Sequence, residues 1–119
     1  MFKNWIYQIF EMQLLFGIVF LIFGIIILKF PPKTINEMYG YRTKNAMSSI
    51  EKWNFSQRYS SILISKIGIF LIFFSFLGIF FETSAVLHIF VGIVSAVFSA
   101  VILYFMTESQ LKKQFPEKK

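Results

Sequence analysis

The sequence predicts an all-α integral membrane protein of three transmembrane helices, with a structured cytoplasmic loop between helices 1 and 2. Three observations lead there. Hydrophobic residues make up 56% of the 119-residue chain and charged residues 15%, with a mean hydropathy of +0.65, too apolar for a water-soluble domain of this size. Charges nearly vanish from three stretches, each long enough to cross a hydrocarbon core of about 30 Å. Lysine and arginine fall almost entirely on one side of those stretches. One membrane domain, 1–119, is the organisation these features imply.

The first span is expected at about 12–30, extended outward by Trp5, Tyr7 and Phe10, whose rings suit the membrane interface. It is too long for a signal-peptide core and ends in Leu28-Lys29-Phe30-Pro31-Pro32 rather than a small-residue cleavage site, so it is retained as a span. The prolines stop the helix. A loop follows over about 31–60, then a second span at about 61–81 and a third at about 84–106. Only Glu82 and Thr83 separate the last two, which makes them an antiparallel hairpin. The tail, 107–119, is polar and proline-interrupted, and its last ten residues or so read as frayed.

Orientation follows from the basic residues. Lys3 alone precedes span one; Lys29, Lys33, Arg42, Lys44, Lys52, Arg58 and Lys66 lie between spans one and two; none separates spans two and three; Lys112, Lys113, Lys118 and Lys119 follow span three. The expectation is a multi-pass protein of the inner (cytoplasmic) membrane, N-terminus out and C-terminus in. The net charge of +6 then serves orientation and contact with anionic lipids, not nucleic acid, because apolar spans interrupt any basic face.

Within the loop, Thr34 with Glu37 forms a capping-box pattern, and Gly40 suits the left-handed position that would close so short a helical turn. Ser48 with Glu51 repeats the pattern ahead of one long helix expected from about Ser49 to Phe81. The densest stretch is Pro31-Pro32-Lys33-Thr34-Ile35-Asn36-Glu37-Met38-Tyr39-Gly40-Tyr41-Arg42-Thr43, followed by Ser48 and Trp53. It resembles the SdpI family of small membrane proteins, named for immunity to a secreted peptide toxin, over roughly residues 20–80. By that resemblance Pro32, Asn36, Tyr39, Gly40, Tyr41, Arg42, Thr43, Ser48 and Trp53 are the signature positions. The resemblance implies resistance to an antimicrobial peptide and membrane signalling, without a catalytic mechanism; larger relatives carry additional spans.

The residues also have a reading of their own. Arg42 presents a planar donor fork for a lipid phosphate or a partner's carboxylate, and Asn36 can brace the turn. Against this stands a structural role: Gly40 permits the turn, the tyrosines anchor, and Arg42 satisfies helix-end carbonyls. Glu11, Glu82 and His88 fall near the outer helix ends and form a candidate outer polar cluster, though a poor metal site, since no spacing motif links them. Lys66 lies one turn inside span two, where its stem can return the ammonium to the surface. Gly17 and Gly24, and Gly92, Ala96 and Ala100 with Ser95 and Ser99, are small residues at spacings that let helices meet closely, within the chain or across a homo-oligomer.

With one histidine, no aspartate, no cysteine and no phosphate-cradling glycine loop, no catalytic residues, metal or cofactor are expected, and the protein reads as a non-enzyme. The leading expectation is a membrane-embedded immunity or signalling protein that binds a membrane-active peptide or a regulatory partner. The alternatives are an accessory subunit of a larger membrane complex and a small carrier of ions or lipid.

Overall fold

The computed structural model describes residues 11–80 and 84–116. It contains three helices long and apolar enough to span a membrane: α1, Glu11–Lys29; α2, Ile50–Ser75, continued by a 3₁₀ segment Phe76–Phe80; and α3, Ala85–Gln114. A short 3₁₀ turn, Ala46–Ser48, precedes α2. Trp5, Tyr7, Phe10 and Glu82 lie outside the described residues.

The interior is inverted relative to a soluble bundle. Large apolar side chains such as Phe23, Phe70, Phe73, Phe90 and Phe98 point outward, as they must where the solvent is hydrocarbon and burying them gains nothing. The inward residues are mostly small or polar. On α1 they are Gln13, Gly17, Gly24 and Ile27; on α2, Trp53, Ser56, Gln57, Ser60, Ser61, Gly68, Leu71 and Ser75. Spacings of three, four and seven residues put each set on one stripe. The α2 serines can sit inside because each hydroxyl bonds back to its own helix: Ser56 to the Trp53 carbonyl at 3.0 Å, Ser61 to that of Arg58 at 3.0 Å, Ser65 to that of Ser61 at 2.7 Å. Satisfied in this way, a serine packs as a small residue.

The small stripes bring α1 and α2 together antiparallel. A β-carbon at Gly17 would lie 2.7 Å from the Gly68 carbonyl oxygen, and one at Gly68 2.6 Å from that of Gly17. Farther along, Gly24 lies against Ser61 and Ser65. α3 reaches α1 where Gly92 meets Met12, and the amide of buried Gln13 donates to Ser95 Oγ at 3.4 Å. The glycines singled out for close approach are therefore used within the chain, whereas Ala100 faces outward.

Three expectations need correcting. No helical turn forms over Thr34–Gly40; Asn36 organises this segment instead, its Oδ1 accepting from the backbone N–H groups of Met38 (3.0 Å) and Tyr39 (2.7 Å). The side chain competes with the backbone pattern a helix would need. The N-cap of α2 is Ser49, not Ser48: its Oγ accepts from the Lys52 N–H at 3.1 Å. The chain does not fray at Gln110, because α3 runs to Gln114 with Leu111 fully buried and Phe115 edge-on to Phe55; residues 117–119 lie outside the described ones. Thirty residues of helix are about 45 Å long, well beyond a core of about 30 Å. The surplus is what allows α3 to meet the loop.

Candidate functional site: a clasp built by the loop signature

The chain leaves α1 at two prolines that cannot continue the helix. Pro32 is buried, and its carbonyl accepts a hydrogen bond from Nε1 of the fully buried Trp53 at 2.7 Å. One residue of α2 thus fixes the point where the loop begins. The Tyr39 hydroxyl returns to donate to the Phe30 carbonyl at 2.6 Å. Gly40 adopts φ +103°, and a β-carbon there would strike Gln57 Oε1 and lie 2.9 Å from Pro32. Both the backbone conformation and the space require glycine.

Gln57 then acts as a short strand might. Its Oε1 accepts from the Tyr41 N–H at 2.7 Å, and its Nε2 donates to the Tyr41 carbonyl at 2.6 Å. The side chain is almost fully buried, so these bonds satisfy polar groups that water cannot reach. Beyond it, the hydroxyls of Tyr41 and Thr43 both donate to Glu108 Oε2 at 2.9 Å, fastening the loop to α3. Thr43 Oγ1 also accepts from the Ala46 N–H at 3.1 Å, which starts the 3₁₀ turn. Burial, reinforced by the hydrogen bond to the Glu108 carboxylate and its negative charge, pushes the Tyr41 hydroxyl well above the ordinary phenol range. The Ser48 hydroxyl donates to the Asn45 carbonyl at 2.6 Å.

Of the signature residues, Pro32, Asn36, Tyr39, Gly40, Tyr41, Thr43, Ser48 and Trp53 are thus engaged in holding the loop. Arg42 is the exception. It is exposed, lines a cavity of about 330 Å³ with Gly40, Tyr41, Ser60 and Ser61, and among the described residues takes no hydrogen-bond or ion-pair partner. It does not satisfy helix-end carbonyls, the structural role open to it from sequence. At the opposite end of the bundle, Glu11 is exposed in the first turn of α1 and His88 half-buried in the first turn of α3.

Three participants escaped sequence reading. Gln57, Glu108 and Gln13 are ordinary polar residues near the ends of apolar stretches, with no motif around them. Only the helical spacing of Gln57 from Trp53 and Ser61, on the inward stripe, marked one of them.

A second cavity, of about 430 Å³, opens sideways between α2 and α3. Phe70, Phe74 and Phe98 line it together with Ser95 and Ser99, and exposed Lys66 stands at the end toward the loop.

The fold and the clasp define a multi-pass membrane protein whose loop is locked to the ends of two spans. The SdpI/YfhL protein family model matches residues 33–104, more than half of the chain. The chain belongs to that family. The match begins in the loop and ends inside α3, so it includes Gln57 and stops just short of Glu108, whereas the resemblance carried by the loop signature spans roughly residues 20–80. The chain is also similar to the uncharacterized protein YfhL of Bacillus subtilis (strain 168), 34% identical over 96 residues that cover 81% of this chain and 82% of the relative. No solved structure matches it.

Proposed function

We propose that the protein is a membrane-embedded immunity protein without enzymatic activity, which takes side chains of a membrane-active peptide into the lateral groove between α2 and α3. Family membership supports the immunity class. The observation that carries the peptide reading is the groove itself: its phenylalanines Phe70 and Phe98 are exposed, and one ammonium, Lys66, stands at its loop end. Its volume of about 430 Å³ suits a few side chains of a bilayer-inserted helix and not a whole helix. The packing of Gly17, Gly24 and Gly92 inside the chain removes much of the support for an accessory subunit that would dock through those stripes.

The test is expression in peptide-sensitive cells challenged with a panel of membrane-active peptides. Survival should rise with the wild-type protein and fall back with Phe70→Ala combined with Phe98→Ala at equal membrane abundance. Unchanged killing across the panel, with expression verified, refutes the reading.

A second reading, signalling to a regulatory partner, rests on Arg42. It is the signature residue left unengaged, and its fork matches a carboxylate on an incoming protein surface. Arg42→Gln should abolish a cross-link to such a partner while leaving thermal stability unchanged, and Arg42→Lys should restore it only in part. Equal cross-linking by all three forms would exclude Arg42 as the contact.

A further inference from the structure

A larger cavity, of about 860 Å³, lies on the other side of the Glu108 junction, walled by the loop after Thr43, the first turn of α2 and the last turns of α3. Three ammonium groups belong to its lining: Lys44, Lys52 and Lys112. Lys44 and Lys112 are exposed and have no ion-pair partner among the described residues, and Lys52 Nζ reaches only the Asn45 amide oxygen, at 3.4 Å. The single acidic group in the wall is Glu108, and its Oε2 already accepts the hydroxyls of Tyr41 and Thr43. Three positive charges against one partly satisfied negative charge leave the cavity electropositive, a poor resting state without an anion.

Its depth indicates the source of that anion. Tyr104 forms the inner wall, half-exposed and edge-on to outward-facing Phe105, while Glu108 and Lys112 lie one and two turns farther along the same helix. The hydropathy of α3 falls away at this level, where the apolar run ends at Met106 and Thr107-Glu108-Ser109-Gln110 begins. A tyrosine on the apolar side and lysines on the polar side are the arrangement of a membrane interface.

We propose that this cavity is a binding site for a phosphate-bearing anion, the headgroup of an anionic phospholipid, with Lys44, Lys52 and Lys112 around the phosphate and Tyr104 beside the start of the acyl chains. A lipid seated there would brace the loop against α3 at the clasp. The inference rests on the membrane placement of the chain and does not depend on the peptide reading.

The test uses the full chain in detergent, titrated with phosphatidylglycerol or phosphatidylcholine of the same acyl chains and followed by native mass spectrometry. Phosphatidylglycerol should be retained at a concentration at least about tenfold lower, since each lysine near an anionic headgroup adds to the attraction. The triple variant Lys44→Gln/Lys52→Gln/Lys112→Gln should lose the preference, and the corresponding triple Lys→Arg variant should keep it. Lys29→Gln/Lys33→Gln/Lys113→Gln removes the same charge from outside the cavity and should also keep it. Equal loss in both glutamine triples, or no preference in the wild type, overturns the site. Displacement of the lipid by equimolar glycerol 3-phosphate overturns the lipid as occupant in favour of a soluble phosphate ester.

Discussion

The two faces of α2 are packed by opposite rules. Toward α1 it offers Gly68, Ser61 and Ser65, and the backbones approach so closely that no β-carbon fits at Gly17 or Gly68. Toward α3 it offers Phe70 and Phe74, and a groove of about 430 Å³ remains. In a bilayer neither interface gains from removing apolar surface from water, so contact has to come from close packing and polar groups. The first interface has the close packing. The second keeps a groove where the two helices do not close on each other.

This contrast can be broken at its tight side. Gly68→Leu should produce the largest loss of stability of any change considered, because the added atoms meet the Gly17 carbonyl and the Leu21 backbone, which cannot turn aside as a side chain can. Overpacking of this kind costs about 1–3 kcal/mol or more. Thermal melting in detergent should show a fall of several degrees, whereas Phe70→Ala on the groove side should melt within a degree or two of wild type. Similar losses for both would mean that the two faces are not different in kind.

Gly40→Ala comes next. The φ of +103° is costly for any residue with a β-carbon, and that carbon would also displace the Gln57 amide from Tyr41. A loss of about 1–3 kcal/mol is expected, localised to the loop: hydrogen exchange should quicken at the Tyr41 amide and remain unchanged in the middle of α1. Uniform quickening throughout would show that the clasp and the membrane bundle unfold as one unit.

How much of this could be read from the residues differs between the same two regions. The spans were legible because hydropathy over about twenty residues is a cumulative signal that no single position decides. The stripes of Gly17, Gly24 and Gly92 were visible too, although whether they served the chain or a second copy was open until Met12 and Gly68 were seen against them. The loop was legible as a signature and not as a structure. Its helical turn over Thr34–Gly40 does not form, because the Asn36 side chain takes the N–H groups a helix would need in order to start. The continuation of α3 past Met106 was missed because hydropathy marks where lipid ends, not where a helix ends. Glu108 and Phe115 have their partners in the loop and α2, far away in sequence, and local pattern carries no trace of such pairing.

The smallest effect concerns the Tyr41 hydroxyl at the junction of loop and α3. Burial and the Glu108 carboxylate both disfavour its phenolate in the folded protein. Its folded-state pKa therefore lies above the unfolded value of about 10. For a group raised in this direction the stabilisation is fully present below pH 10 and is lost as pH climbs toward the folded value, because only the unfolded chain can release the proton cheaply. Ultraviolet titration of tyrosinate should show a step well above the ordinary phenol range, and Tyr41→Phe should remove that step. Glu108→Gln keeps an oxygen able to accept both hydroxyls while deleting the charge, so it should bring the step down without opening the clasp. If Glu108→Gln left the step in place, burial alone would account for the shift, and the junction between loop and α3 would be held by hydrogen bonding with no electrostatic share.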